Sequence, residues 1–405
     1  MAVLNGAGLV TQARSVLTIN SGSSSIKFAV FVENGNDQPM LKGQAQRIGI
    51  DGSSFHAMDA QGREVARETG PMPDHQAALK LILECARAGT SDIRAVGHRI
   101  VRGGPQDREP QLITPALVER IRELIPYLPD HLPHQVAAIE AVKIFDPRLA
   151  QVACFDTAFH RTMPRVAQLY ALPRELADEG ILRYGYHGLS YEYVISELAK
   201  QDGEKAARGR VVIAHLGNGC SMAAIRNGHA VETTMGFTPT GGLVMSSRSG
   251  DLDPEVILYL IEHRKLTASA VNEIINHKAG LAGVSGGSSD MRDLLAREAA
   301  DSHAAEAIAL FCYQAKKFLG ALAAVLDGID TLVFTAGIGE NAPQIRERIC
   351  AGMRHLGLTI DARANQANAP CISTAEGPVS IRVIPTNEEL MIARHTLASM
   401  RLAEQ

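Results

Sequence analysis

Apolar residues along this chain fall either into short runs that end abruptly in glycine turns or into longer stretches at helical spacing. The first short run, Val16-Leu17-Thr18-Ile19, enters Asn20-Ser21-Gly22-Ser23-Ser24-Ser25-Ile26-Lys27. Beyond that turn Ile26, Phe28, Val30 and Val32 occupy alternate positions, a period of two that predicts strand, turn and strand over residues 15–32. Segment 208–232 follows the same plan, with a strand at 210–214, a turn at Gly217-Asn218-Gly219, a strand at 222–225 and a second turn at Asn227-Gly228. A third run, Leu332-Val333-Phe334-Thr335, leads into a turn at Ala336-Gly337-Ile338-Gly339-Glu340-Asn341. The likeness between 15–35 and 210–230 is one of pattern, and an internal duplication with one copy per domain explains it.

Helical spacing predicts an amphipathic helix at 74–88 and helices at 115–125 and 133–144, while apolar runs predict buried strands at 95–101 and 149–155. In the second half Asp253-Pro254 reads as a helix start, an N-cap followed by proline at the first helical position. Residues 302–326 predict a long alanine-rich helix, 380–384 a strand and 388–402 a last helix. The elements give a mixed α/β chain with two similar halves, and 405 residues are long for a single core. An apolar content of 46% with 21% charged residues places it among ordinary globular proteins. No run reads as a membrane span, and residues 1–15 lack the basic and apolar regions of a signal peptide, so they read as a poorly ordered extension. A net charge of −4 with scattered Lys and Arg excludes a nucleic-acid footprint. Cys85, Cys154, Cys220, Cys312, Cys350 and Cys371 form no metal-ligand spacing and read as thiols of a reducing, cytoplasmic compartment.

A glycine turn lets backbone N–H groups converge on an anion, and hydroxyls or a lysine add donors. Three such turns point to a nucleotide held from several sides. The first is not a Walker A loop, because no glycine directly precedes Lys27 and a strand rather than a helix follows it; it reads as a phosphate-binding hairpin. Arg99, in His98-Arg99-Ile100-Val101-Arg102-Gly103-Gly104, is either a planar fork for a carboxylate or phosphate or a strand-end ion pair. Asp156 stands at the mouth of a buried strand, where α/β ligand sites lie, or else caps a turn. His187 lies between glycines before a helix, and Arg248 in Ser246-Ser247-Arg248-Ser249-Gly250-Asp251 either binds or braces its loop. Asp290-Met291-Arg292 reads as a helix N-cap with its first turn. Thr386-Asn387-Glu388-Glu389 reads as a capping box, Glu389 reaching back to Thr386 and Glu388 left for a metal. His131 and His134 are one helical turn apart, but Pro133 favours a loop over a zinc site. Two arginines, a histidine, a lysine and two acids beside three anion turns suit phosphoryl transfer, where charge stabilisation dominates.

Taken in order, the stretches INSGSSSIKF, GHRIVRGG, FDTAFHRTMP, RYGYHGLS, AHLGNG, GFTPTGGLVMSSRSGDLDP, SGGSSDMRDL, FTAGIGEN and IPTNEELMIA resemble the acetate and propionate kinase family from about residue 16 to 395. That resemblance implies two similar actin-like ATPase (ribonuclease H-like) domains with the nucleotide in the cleft between them. Their expected bounds are 15–156 plus 390–405 for the carboxylate and metal side, and 157–389 for the nucleotide side and dimer interface, after an extension at 1–14. It also implies a homodimer, no nucleic-acid or membrane partner, and reversible transfer from ATP to a short-chain carboxylate with Mg²⁺, or with Mn²⁺ in its place. By position, Asn20 and Glu388 would hold the metal, Ser23, Ser25 and Lys27 would reach the ATP phosphates, and His215, Leu216, Gly217, Asn218 and Gly219 would cradle them. Asp290, Met291, Arg292, Gly337, Ile338, Gly339, Glu340 and Asn341 would surround the adenosine. Arg99 would bind the substrate carboxylate, Val101, Tyr186 and Pro239 would line its acyl end, and Asp156, His187 and Arg248 would be catalytic.

A carboxylate with a pKa near ~4.3 is already ionised at pH 7 and needs no general base, so Asp156 is expected to orient substrate or metal rather than take a proton. An actin-like or chaperone-like ATPase is the alternative from another class; the cluster of Arg99, His187 and Arg248 argues against it, since a water-hydrolysing switch needs no second cationic substrate site. The chain departs from the family pattern at Arg102, Pro105, Asp130-His131-Leu132-Pro133 and Ser246-Ser247. Asp130, with Arg102 as partner, is expected to tune the acyl pocket away from plain acetate or to keep its loop out of the pocket, which leaves propionate or butyrate kinase as the nearest alternative.

Overall fold

The computed structural model describes residues 14–33, 35–90 and 92–403, so nearly all of the expected N-terminal extension lies outside the described residues. The chain divides into two compact units, one running up to Ala158 and resuming at Asn387, the other Phe159–Thr386. The first holds a sheet of strands β1 (Ser15–Ser21), β2 (Ser25–Val32), β3 (Leu41–Gln46), β4 (Ser54–Asp59), β5 (Glu64–Thr69), β6 (Ile93–Ile100), β7 (Gln111–Leu112) and β8 (Ala150–Phe155). Their order is β5-β4-β3-β2-β1-β6-β8-β7. The second unit holds β9 (Arg210–Leu216), β10 (Cys220–Arg226), β11 (His229–Thr233), β12 (Thr331–Thr335) and β13 (Ser380–Val383), ordered β11-β10-β9-β12-β13.

The duplication is visible in the pairing. In both sheets three strands run antiparallel, β3-β2-β1 and β11-β10-β9, and the third then pairs in parallel with the next two in line, β1-β6-β8 and β9-β12-β13. The glycine turns at 22–24 and 217–219 join equivalent strands. The central strands are apolar throughout because helices cover both faces. In the first unit Leu17, Ile19, Ile26, Phe28 and Val30 pack with Ala78, Leu79, Ile82 and Ala86 of helix His75–Gly89 and with Val142 of helix Leu132–Phe145. Helix Glu388–Ala403 takes the other face and buries Leu390, Met391, Ile392 and Ala393, which is why Ala29 and Phe31 are buried as well and the period of two is lost after Phe28. Gly97 permits that contact: a Cβ there would lie 2.1 Å from Thr396 Oγ1. In the second unit Val211, Ile213, Ala223, Ile225 and Val333 pack against Tyr191, Val194 and Leu198 of helix Gly188–Asp202.

Three local expectations change. The third turn is a short helix, Ala336–Asn341, that starts directly at the strand end with Ala336 at φ +65. The last helix is capped by Asn387, whose Oδ1 accepts from Leu390 N at 3.0 Å; Thr386 instead donates its hydroxyl to Ser190 Oγ, so no capping box forms. Pro133 opens helix Leu132–Phe145, whose first turns tolerate its missing N–H, rather than leaving a loop. Helix Ser302–Val325 is long and apolar enough to cross a membrane. Its buried residues Ala304, Ala307, Ile308, Phe311, Ala315, Leu319 and Leu322 form one stripe at helical spacing, the pattern of a core helix.

Candidate functional site

In the first unit β1, β6 and β8 are parallel neighbours, so their C-terminal ends reach one edge of the sheet, where ligand sites of α/β proteins lie. Asn20 is the penultimate residue of β1 and Arg99 that of β6, Asp156 follows β8, and Glu388 opens the C-terminal helix. Arg99 Nη2 and Nε donate to Asp156 Oδ2 at 2.5 and 2.9 Å, and Nη1 donates to Asn20 Oδ1 at 3.2 Å. Asn20 Nδ2 donates to Glu388 Oε2 at 3.1 Å and to Glu389 Oε1 at 3.4 Å, and Glu388 lies 3.7 Å from Arg99 Nε. The geometry thus realises the ion-pair reading of Arg99, each of its three nitrogens being bonded to Asp156 or Asn20.

Burial pushes the Asp156 carboxyl up to about 6, with Arg99 opposing and Glu388 reinforcing the shift. Burial alone would lower the Arg99 guanidinium, but Asp156 and Glu388 raise it above its ordinary value. Asp156 Oδ1 is fully buried and has no hydrogen-bond partner. One guanidinium therefore faces three carboxylates, of Asp156, Glu388 and Glu389, around an unsatisfied buried oxygen. Such an oxygen-rich, net-negative cluster fits a hard divalent cation, and a Mg²⁺ site needs only one or two carboxylates beside waters and phosphate. Among the described residues no group of three or more His, Cys, Asp or Glu side chains makes a dedicated metal cage.

Nearby, Gly22 N donates to Ser25 O at 2.8 Å and closes the first turn, with Ser23 exposed and Lys27 opposite Asn20 on β2. Val101 is buried and its N–H donates to Gln135 Oε1 at 3.0 Å.

In the second unit His187 is the N-cap of helix Gly188–Asp202 and has φ +60 and ψ 25, a left-handed conformation strained for a residue other than glycine. Its ring stacks on His215 with centroids 4.1 Å apart, and its Nδ1 is 2.8 Å from Ser221 Oγ, which also bonds Tyr191 OH at 2.5 Å. His215 Nδ1 is 2.9 Å from Ser190 Oγ. Gly219 locates the convergence: a Cβ there would lie 3.3 Å from His187 Nε2 and 3.4 Å from Arg248 Nη1. Arg248 Nη1 also donates to Pro239 O at 3.3 Å, so it braces its loop while reaching the turn. Tyr186 is buried and donates its hydroxyl to Phe237 O at 2.7 Å.

The third segment adjoins the second turn, since a Cβ at Gly217 would meet Ala336 Cβ at 3.5 Å and one at Gly339 would meet Leu216 Cβ at 3.7 Å. Glu340 turns its carboxylate inward, accepting from Ala336 N at 2.7 Å and Thr386 N at 3.1 Å. Asn341 Nδ2 donates to Gly337 O at 2.9 Å. Asp290 caps helix Met291–Arg297 and pairs with the exposed Arg292 at 2.8 Å, while Met291 is buried.

The structure thus assembles Asn20, Arg99, Asp156 and Glu388 in one cluster and His187, His215, Gly217, Asn218, Gly219 and Arg248 in another. Sequence reasoning gave Glu389 only a capping role and did not single out Gln135, Ser190, Tyr191 or Ser221. Ser190 and Tyr191 could have been found from their spacing of three and four residues beyond His187, and Ser221 from its place two residues past Gly219.

Comparison with known proteins decides among families carrying such clusters, because the model of the Acetokinase family matches residues 15–394. The chain belongs to the acetokinase family. Acetate kinase of Methylocella silvestris is 45% identical over 400 residues, covering 95% of this chain and 98% of the relative, and that of Rhizobium meliloti is 44% identical over 389 residues, covering 95% and 98%. The crystal structure of Porphyromonas gingivalis acetate kinase superposes with a TM-score of 0.86 at 37% identity, covering 96% of this chain and 100% of that one. A propionate kinase from Francisella tularensis gives a TM-score of 0.89 at 34% identity, covering 95% and 99%. The acetokinase fold is that of the actin-like ATPases, and the paired sheets described above are its two halves.

Proposed function

We propose that the chain is an acetate kinase, a phosphotransferase with a carboxyl acceptor that converts ATP and acetate into ADP and acetyl phosphate reversibly. The observation that carries this reading is the convergence of His187 Nε2 and Arg248 Nη1 on the glycine turn at Gly219, two donors aimed where a transferring phosphoryl group needs charge compensation. A carboxylate oxygen of acetate attacks the γ-phosphorus in line, the bond from that phosphorus to the β–γ bridging oxygen breaks, and ADP leaves with the electron pair. No proton moves, because the nucleophile is already an anion. What the protein must overcome is repulsion between two anions.

In this reading the first unit takes the carboxylate and metal. Arg99 binds the acetate carboxylate, Asp156 fixes the guanidinium fork, and Val101 lines the acyl end. Asn20 and Glu388, with the unpartnered Asp156 Oδ1 beside them, would hold Mg²⁺, which when bound neutralises phosphate charge. In the first unit the turn carrying Ser23, Ser25 and Lys27 binds phosphate; in the second Gly217, Asn218 and Gly219 cradle phosphates, and the segments at 290–292 and 337–341 surround the adenosine.

The test is trapping of acyl phosphate with hydroxylamine across C1 to C4 acids in the presence of ATP and Mg²⁺. Acetyl hydroxamate above the other products is expected, and ADP release without hydroxamate would leave an ATPase instead. The propionate kinase neighbour and the Asp130 departure favour a second reading, propionate as preferred acid, which the same series ranks. A homodimer is supported by helix Pro254–Glu262, which has no buried residue and exposes Val256, Leu258, Tyr259 and Ile261. Sedimentation of a single-chain mass would overturn it. The six cysteines are all free and five are buried, in keeping with a reducing cytoplasm.

A further inference from the structure

The turn at Ser21–Ser25 is held from behind by two side chains that no part of the proposed chemistry uses. His75, in the first turn of helix His75–Gly89, is buried, and its Nε2 lies 2.8 Å from Gly22 O. A carbonyl oxygen only accepts, so Nε2 carries the hydrogen and donates. Gln135, buried on helix Leu132–Phe145, links Val101 N–H at 3.0 Å to Ser21 O at 3.4 Å. The His75 ring is itself fixed, stacked on His134 with centroids 4.1 Å apart at 20°. In a trans peptide the C=O and the next N–H point in opposite directions. With Gly22 O held towards His75, the N–H of Ser23 is therefore aimed away from it, in a turn whose Ser23 and Ser24 are exposed.

We propose that His75 is a positioning residue for ATP: through Gly22 O it orients the peptide plane between Gly22 and Ser23, so that the Ser23 N–H is presented to the nucleotide phosphates before they arrive. This rests on the reading that the turn at 22–25 takes those phosphates. Glycine at 22 gives the turn no side-chain anchor of its own; the bond from Gly22 N to Ser25 O holds the peptide before it, and His75 holds the peptide after it. The role is specific to the nucleotide, because Arg99, which takes the carboxylate, hangs from a different strand and bonds Asp156 and Asn20 rather than His75.

The experiment compares the full-length protein with His75→Phe, His75→Gln and Lys27→Ala by steady-state kinetics in both substrates, with folding checked by thermal unfolding. His75→Phe keeps the ring and its stack on His134 but removes the donor. It is expected to raise KM for ATP about three- to tenfold, the size of one lost hydrogen bond, with kcat and KM for acetate within about twofold of the parent. His75→Gln, whose amide nitrogen reaches the place of Nε2, is expected to restore KM for ATP to within about twofold. An unchanged KM for ATP in His75→Phe, an equal rise in both KM values, or no rescue by glutamine overturns the proposal. Should the phenylalanine variant not fold, His75→Asn, whose amide stops short of Gly22 O, takes its place with the same expectations. Lys27→Ala separates the two levels: if it too leaves KM for ATP unchanged, the placement of phosphates on this turn falls and the inference with it, whereas a raised value there beside a silent His75→Phe refutes His75 alone.

Discussion

His187 combines strain with chemistry, and the two can be separated by replacing it with glycine and with alanine. At φ +60 a side chain in the left-handed region costs about 1 kcal/mol, which glycine avoids and alanine retains. Both substitutions remove the imidazole and the stack on His215. His187→Gly is therefore expected to be about 1 kcal/mol more stable than His187→Ala, less whatever glycine adds to the entropy of the unfolded chain. Catalysis is expected to fall equally in both, because the donor whose Nε2 sits 3.3 Å from a Cβ at Gly219 is gone in each. The loss of one preorganised donor is worth about 10²–10³ in kcat, or about 3–4 kcal/mol of transition-state stabilisation. The assay is the hydroxamate trap run against both substrates, paired with urea unfolding of the two variants. A kcat within about tenfold of the parent for either variant would refute the role of the imidazole. Equal stability of the two would refute the assignment of strain at this residue, since the backbone would then have relaxed.

Other consequences follow from the same geometry. Arg99→Ala leaves the Asp156 carboxylate buried beside Glu388 without its cation, so a stability loss of about 3–5 kcal/mol and a steep rise in KM for acetate are expected; loss of neither in urea titration and kinetics would mean that the pair is dispensable. His160 is buried, its Nε2 donating to Tyr186 O at 2.9 Å, and burial lowers its pKa to about 4 against that hydrogen bond. Between pH 6.5 and 4 the unfolded chain binds a proton there that the folded one refuses, so stability is lost as pH falls through that window, by about 3 kcal/mol in all. His160→Phe should lack that component, and parallel pH profiles of unfolding for the two proteins would contradict it. Gly97→Ala forces a Cβ to 2.1 Å from Thr396 Oγ1 and is expected to cost about 1–3 kcal/mol or more without altering either KM; an unshifted melting temperature would show that helix Glu388–Ala403 can give way. Asp130→Leu should change the ranking of acetate, propionate and butyrate, and an unchanged ranking removes Asp130 from the acyl pocket.

Much of the architecture is local in origin and was legible in the chain itself. The strand, turn and strand of 15–32, the glycine turn at 217–219, the proline at Pro254 and the long helix of 302–326 each report a local backbone preference, and these depend only on near neighbours along the sequence. The duplicated strand plan could be read for the same reason, and the identical pairing order of β3-β2-β1-β6-β8 and β11-β10-β9-β12-β13 bears it out. Where local rules failed, a distant partner had replaced the near one. Thr386 gave up its capping role because its hydroxyl meets Ser190, 196 residues earlier, and Asn387 caps the helix instead. The partners of the candidate site are likewise distant: Arg99 meets Asp156 57 residues on, and Asn20 meets Glu388 across 368. The types of those side chains announced anion chemistry, but which carboxylate occupies the arginine fork, which oxygen stays unpaired, and which backbone carbonyl His75 holds are consequences of parallel strand ends brought to one edge of a sheet. Residue type sets what each group can donate or accept; only the fold decides the few ångströms over which a hydrogen bond or an ion pair exists.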